Sequence, residues 1–290
     1  RGAGMHIEPI QTTQTTAFGA TVTGVDSNRL SDDEWAVIEA AWHEHAVLVF
    51  PNQHVEEPAH VALGERIGDL EQFVADQKSV PISNRRVDGS AVDPNSDHFQ
   101  ILKGNEGWHT DSTYMPLSAR ASILAAQVVP TEGGQTEWAD MRAAYDALDD
   151  ETREQIAGLA AYHSLFYSQS KVGHKPAVGA SYGLSDQDIP LRPLVKVHPV
   201  TQRPALFIGR HAYGIPGLSQ AESEALLERL TAFACQSPRV FAHAWEPGDV
   251  VMWDNRCVLH RARPYDYAKP RVMRHVRVAG DPITEAGIQN

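Results

Sequence analysis

The last third of the chain is a succession of short apolar runs: LVKVHP, ALFIG, VFAHAW, DVVMWD and VMRHVRVAG. Each is too short for a stable helix and is bounded by turn-forming residues, so each reads as a strand. ATVTGV, AVLVFP, ASILAAQVVP and QTEWAD read the same way earlier in the chain. A set of many short strands hides its edges by closing or by facing a second sheet. The expected fold is therefore mainly β with flanking helices, a sandwich or barrel. A dinucleotide-binding fold is excluded on this reading, because no GxGxxG follows a strand.

Helices are expected at SDDEWAVIEAAWHEH, near 57–67, over 140–160 and over 219–235. Ser31 to Glu34 and Ser219 to Glu222 have the spacing of capping boxes for the first and last of these. The segment 72–107 is polar, rich in Asp, Asn, Ser and Gly, and poor in periodic apolar residues. Its place just before the strongest chemical motif suggests a lid, and 168–188 suggests a second mobile stretch. Within that stretch, Lys171, His174 and Lys175 read as a solvated loop.

No linker divides the 290 residues, so 5–290 is read as a single domain, with 1–4 a cloning remnant before Met5. A net charge of −12 disfavours nucleic-acid binding. No apolar run is long enough to span a membrane. The two cysteines form no CxxC pair, which disfavours a thiolate zinc site and points to a reducing, cytoplasmic setting. Assembly into a homo-oligomer is left open.

The chemistry is concentrated in three places. In WHTDS, His109 and Asp111 are two apart, so an extended backbone points both side chains the same way. Far downstream, DVVMWDNRCVLH runs from a strand through a polar turn to His260. Two imidazoles and one carboxylate on one face leave open positions on a metal, the signature of non-haem Fe(II) oxygenases. Arg271 follows His260 by eleven residues and could return on a neighbouring strand to grip the distal carboxylate of 2-oxoglutarate. Thr136, in GGQT, could add a hydroxyl to that carboxylate.

WHTDSTY, GGQTEWADMRAAYDAL, GDVVMWDNRCVLHRARPYD and Arg271, in this order, resemble the taurine / 2,4-D dioxygenase family over nearly the whole chain. HSLFYSQSKVGH, PLRPLVKVHP, IGRHAYGIPG and ACQSPRV resemble its aryloxyalkanoate branch of the (S)-dichlorprop type. The resemblance implies a double-stranded β-helix, or jelly roll. It implies Fe(II) at His109, Asp111 and His260, with 2-oxoglutarate at Thr136 and Arg271 and dioxygen as oxidant. The implied activity is hydroxylation of a small anionic substrate, an aryloxyalkanoate cleaved to a phenol and an oxo acid, as succinate and CO2 are released. Herbicide degradation is the matching context. Two alternatives stand beside it: the same chemistry on a sulfonate or sulfate ester such as taurine, and a non-catalytic jelly-roll binding protein.

Several family members carry a second Arg fifteen residues after the distal His, where this chain has His275. The substrate anion then needs another cation. If 271–278 is a strand, Arg277 shares a face with Arg271 and His275, while Arg274 points away. Arg277 and Arg210 are the expected substrate contacts, with His211 supporting them.

Overall fold

The computed structural model describes residues 4–12 and 17–289. The first half runs β1 (His6–Thr12), β2 (Ala17–Thr23), α1 (Asp32–His45), β3 (Val47–Phe50), α2 (Glu57–Glu65), β4 (Val80–Ser83), α3 (Asp97–Gly104), β5 (Ala121–Val128) and β6 (Thr136–Asp140). Then follow α4 (Met141–Ala147), α5 (Asp150–Ile156), β7 (Ala160–His163), α6 (Leu165–Lys171), β8 (Leu191–Pro193), β9 (Val195–Val197), β10 (Pro204–Leu206) and β11 (Ala212–Tyr213). The chain ends with α7 (Gln220–Ala234), β12 (Val240–His243), β13 (Val250–Asp254), β14 (Val258–Ala262) and β15 (Val272–Val278).

One large sheet has the order β1-β2-β3-β13-β5-β15-β4, and a smaller one has the order β12-β6-β14. In the large sheet the two-residue period separates two cores. Ile123, Ala125, Val250, Met252, Val276 and Val278 belong to one core, with Trp35, Ile38 and Trp42 of α1 and Leu63 of α2. Leu124, Ala126, Val251, Trp253 and Met273 face the other way and pack with Trp138, Ala139 and Leu259 of the smaller sheet. Two sheets facing across an apolar interior, with helices outside, make the expected jelly roll.

The sequence patterns fix several helix ends. Ser31 and Glu34 form the full capping box: Glu34 N donates to Ser31 Oγ (3.1 Å) and Ser31 N to Glu34 Oε1 (3.0 Å). At Ser219 the cap has one hydrogen bond, from Glu222 N (3.1 Å). The helix expected over 140–160 is two helices. Leu148 is extended, and Asp149 accepts from Thr152 N (2.8 Å), so a second N-cap interrupts the pattern.

The segment 72–107 is less irregular than its composition suggests. Its backbone supplies β4, which pairs with β15 as Val272↔Ser83 and Met273↔Ile82, and it supplies α3, capped by Ser96. Edge-strand pairing overrides the weak apolar periodicity. Residues 1–3 of the expected remnant lie outside the described residues.

Candidate metal centre and its cavity

Backbone pairing brings the distant motifs together. His109 N donates to His260 O (3.0 Å) and His260 N to His109 O (2.8 Å). Directly opposed residues of an antiparallel pair present their side chains on one face. The two imidazole centroids are accordingly 4.1 Å apart. Asp111, two residues on, completes the group: Oδ1 is 3.6 Å from His109 Nε2 and 3.5 Å from His260 Nε2. Ligand atoms held at about 2 Å from one ion at right angles lie roughly 3 Å apart, so small adjustments suffice to hold a metal.

The neighbours prepare these groups for that role. His109 Nδ1 lies 2.7 Å from Gly107 O. A proton on Nδ1 leaves the Nε2 lone pair toward Asp111 and His260, as a metal ligand requires. Burial pushes His109 down to about 3 and His260 down to about 4, so both imidazoles are neutral. Burial alone would raise the Asp111 carboxyl, but the Arg277 guanidinium beside it holds it well below the usual carboxylate range.

Two residues that the motifs alone do not reveal fix that carboxylate. Ser122 Oγ donates to Asp111 Oδ2 (2.5 Å), and Asn255 Nδ2 donates to Ser122 Oγ (2.8 Å). Asn255 Oδ1 in turn accepts from Trp253 Nε1 (3.0 Å). Register explains the meeting: Ser122 of β5 is opposite Trp253 of β13 on one side and Arg277 of β15 on the other. A second buried group, His198, Asp254 and Cys257, also has metal-binding residue types. There the Asp254 carboxylate is taken by Arg256 (2.8 and 3.0 Å) and by His198 Nε2 (2.8 Å), so it reads as a structural ion-pair cluster at the turn before Cys257.

The centre opens into two connected spaces. A small one of about 60 Å3 is lined by Thr136, Leu124, Trp253, Arg271, His275 and the three candidate ligands. A larger one of about 610 Å3 shares His109, Asp111, Ile82, Asn105 and Arg277 with it. Its walls include Phe73, Val80, Ile101, Tyr114, Leu165, Tyr182, Arg210 and His211.

Arg271 lies in the small space. Its Nη2 donates to Gly134 O (3.1 Å), its Nε has no hydrogen-bond partner, and no carboxylate pairs with it among the described residues. Burial pushes this guanidinium below its ordinary value, the sign of a cation that lacks a counter-charge. Thr136 sits beside it with Oγ1 accepting from Trp245 Nε1 (2.9 Å), which leaves its own O–H free to donate.

Three basic residues of the last strand separate as the two-residue period predicts. Arg274 points out, to Glu57 (3.2 Å) and Ser79. Arg277 points in, but its charge is already met: Nη2 is 3.6 Å from Asp111, Nη1 is 3.8 Å from Glu71, and Nη1 donates to Ser112 Oγ (2.9 Å). Burial opposes that charge, and Asp111, Tyr114 and Glu71 overcome it, so Arg277 is held above its ordinary value. His275 faces in as well, buried, with neither ring nitrogen hydrogen-bonded.

Arg210 enters the larger space from the far side. It donates to Gly104 O (2.6 Å) and Ser168 O (3.1 Å), has no carboxylate partner among the described residues, and is pushed down to about 10 by burial. His211 lies beside it, buried, with Nδ1 2.7 Å from Ser168 Oγ. Two further groups escaped the sequence patterns. Glu71 accepts from Ser112 Oγ and from Tyr182 Oη (2.8 Å each), tying the segment 168–188 to the residue just before the segment 72–107. His174 is not solvated: its side chain is 10% exposed and it sits between Asp97 and Gln169.

Comparison with known proteins agrees with this geometry. The family model described as taurine catabolism dioxygenase TauD, TfdA family matches residues 6–279. An (S)-phenoxypropionate/alpha-ketoglutarate-dioxygenase of Sphingobium herbicidovorans is 53% identical, over 93% of this chain and 95% of its own. An (S)-phenoxypropionate/alpha-ketoglutarate-dioxygenase of Delftia acidovorans is 50% identical, over 95% and 97%. Among solved structures, AAD-2 in complex with Mn(II) and N-oxalylglycine superposes with a TM-score of 0.89 at 37% identity, covering 99% of this chain and 100% of that one.

Proposed function

This chain belongs to the taurine catabolism dioxygenase TauD, TfdA family, and from that premise we propose that it hydroxylates an aryloxyalkanoate of the (S)-phenoxypropionate kind. The enzyme is a 2-oxoglutarate-dependent dioxygenase that uses Fe(II), 2-oxoglutarate and dioxygen. One observation carries the site assignment. Three converging ligand atoms sit where two connected spaces meet, and each space has a guanidinium without a carboxylate partner. Two uncompensated cations, one in each space beside the metal centre, suit two separate anions, the co-substrate and the substrate.

In this reading His109, Asp111 and His260 hold the metal, and the neutral imidazoles with one carboxylate suit Fe(II). With 2-oxoglutarate and dioxygen, the iron supplies hydroxylation of a C–H bond, with succinate and carbon dioxide released. Arg271 and Thr136 orient the distal carboxylate of 2-oxoglutarate in the small space. Ser122 and Asn255 keep Asp111 aimed. Arg210, with His211 beside it, takes the carboxylate of the substrate, and Arg277 completes the wall with a charge it shares with Asp111 and Glu71. The apolar faces of Phe73, Val80, Ile101 and Leu165 suit an aromatic ring and keep water out. Hydroxylation of the carbon bearing the ether oxygen gives an unstable hemiketal, which collapses to a phenol and an oxo acid.

The test is a panel of small anions incubated with Fe(II), ascorbate and 2-oxoglutarate. Phenol and succinate formed together from (S)-2-phenoxypropionate are expected. Sulfite or an aldehyde from sulfonates or sulfate esters, without phenol release, would move the substrate to the taurine-like alternative. Arg210→Ala is expected to raise the KM for the aryloxyalkanoate roughly 10- to 100-fold, since a charge-assisted hydrogen bond is worth about 1.5–3 kcal/mol. The KM for 2-oxoglutarate should hardly move, and Arg274→Ala, on the outer face, should change neither. Sensitivity of Arg274 instead of Arg210 would refute this placement of the anion.

The segments 72–107 and 168–188 are proposed to close over the substrate. Both line the larger space, and the Tyr182–Glu71 hydrogen bond ties the second to the residue just before the first. Amide-exchange protection in both is expected to rise when Fe(II), 2-oxoglutarate and substrate are added together. Equal exchange with and without them would remove the gating role. No helix among the described residues is long and apolar enough to cross a membrane, and Cys235 and Cys257 are both free. A cytoplasmic setting is part of the proposal.

A further inference from the structure

The two spaces beside the metal centre meet at Ile82, Asn105, His109, Asp111 and Arg277, which line both. His109 and Asp111 are candidate ligands, Arg277 is engaged by Asp111, Glu71 and Ser112, and the Ile82 side chain has no polar atom. Asn105 is left. Its side chain is half-buried at the junction, and among the described residues nothing hydrogen-bonds to either end of its amide. A primary amide with both ends free can turn its NH2 or its carbonyl to a ligand, whichever the ligand needs. The scheme above gives it no task.

The backbone holds this residue in place and leaves its tip free. Asn105 closes α3, with its N–H donated to Leu102 O (3.3 Å). Its carbonyl accepts from Ala262 N (2.8 Å), two residues beyond His260 on β14. The residue before it, Gly104, accepts from Arg210 Nη1 (2.6 Å). One short segment therefore joins the strand of a candidate metal ligand to the guanidinium proposed for the substrate carboxylate. The substrate has its parts in a matching order. In an aryloxyalkanoate a single carbon carries the carboxylate, the ether oxygen and the hydrogen to be replaced. An ether oxygen only accepts hydrogen bonds, and Asn105 is the one uncommitted donor at the junction among the described residues.

We propose that Asn105 donates from Nδ2 to the ether oxygen of the substrate and so decides which enantiomer reacts. The assignment rests on the reading that an aryloxyalkanoate enters the larger space with its carboxylate at Arg210. Two anchored groups, with the metal on a third side, fix the handedness of a tetrahedral carbon. With both anchors engaged, one enantiomer turns its C–H bond to the metal and the other turns its alkyl branch there. The second enantiomer can present its C–H bond only by giving up an anchor. Discrimination is then a difference between two binding modes, set by the contact that the wrong enantiomer loses.

The experiment uses enzyme loaded with Fe(II) and 2-oxoglutarate and three probes. These are (S)-2-phenoxypropionate, its (R) enantiomer, and a carba analogue of the same spatial arrangement as the first, with a methylene in place of the ether oxygen. Calorimetric titration without oxygen gives Kd, and succinate formation gives kcat/KM. Asn105→Leu, which is nearly isosteric, is expected to raise the Kd of (S)-2-phenoxypropionate about 3- to 10-fold, the loss of one neutral hydrogen bond. The Kd of the carba analogue should stay within about twofold, because the atom that accepts the bond is already missing. The ratio of kcat/KM for (S) over (R) should fall by a similar factor as the Kd rises, with the KM for 2-oxoglutarate within about twofold. A purely structural role would weaken the ether and its analogue alike, since the two have one shape. If Asn105→Leu does not fold, Asn105→Ala is read in the same way. Effects on the ether and its analogue within twofold of each other, or an unchanged (S)/(R) ratio, with Arg210→Ala still impaired, overturn the Asn105 assignment alone. No binding or turnover of (S)-2-phenoxypropionate by the wild-type enzyme overturns the substrate reading and Asn105 with it.

Discussion

Substituting any one of His109, Asp111 and His260 by Ala is expected to lower succinate formation by at least about 1000-fold, some 4 kcal/mol of transition-state stabilisation. The reason is geometric. The three ligand atoms come from a paired strand residue, the turn two residues later and the opposite strand, and no other described residue is positioned to replace one of them. Bound iron should fall with activity, measured as metal per protein after desalting. The three variants should differ in stability. His109→Ala and His260→Ala remove neutral rings beside an open space. Asp111→Ala also removes the carboxylate 3.6 Å from the buried Arg277 guanidinium and leaves that charge to Glu71. A buried charge stripped of a partner is destabilising, so Asp111→Ala should show the lowest thermal midpoint, and Asp111→Asn is the milder control. Near-normal turnover in any of the three, with iron still bound, would sink the triad.

The second large effect is expected at Arg271. Arg271→Lys keeps a positive charge but loses the planar fork, so the KM for 2-oxoglutarate should rise roughly 10- to 100-fold, about 1.5–3 kcal/mol. Arg271→Ala should raise it further, and Thr136→Val, which removes one hydroxyl, should raise it less. The substrate KM should change little in all three, because Arg210 lies across the larger space and Arg271 lines the smaller one. Burial makes the contrast with Arg277 informative. Arg277 is paired with two carboxylates and is part of the protein's internal charge balance, whereas Arg271 is buried and lacks one. A KM for 2-oxoglutarate that stays at the wild-type value in Arg271→Lys would assign the co-substrate carboxylate to another cation.

The contrast between the two guanidinium groups marks the boundary between what sequence and tertiary structure decide. Local rules reach whatever depends on near neighbours along the chain. The capping box at Ser31, the strands β5, β6, β13 and β15, and the alternation that turns Arg277 inward and Arg274 outward all follow from spacing alone. His109 and Asp111, two apart, and His260, within its strand, were legible for the same reason, as was Arg271 eleven residues later. Extended backbone has a fixed period, so a short motif carries its own geometry.

What remained hidden depends on pairing between distant segments. Nothing near Ser122 announces that β5 will set it against Asp111, or that Asn255 will reach it from the turn after β13. Glu71 and Tyr182 are 111 residues apart, and only the packing of two polar segments brings them within hydrogen-bond distance. His174, in a stretch with every mark of a solvated loop, is largely shielded because Asp97 of α3 and Gln169 of α6 close on it. The charge state of a cation is likewise a tertiary property. Arg271 and Arg277 are the same residue type, six residues apart, but only the fold delivers Asp111 and Glu71 to Arg277 and leaves Arg271 open for an anion. Residue type and spacing set which groups can do chemistry; desolvation and the partners that arrive from elsewhere set which of them are left free to do it.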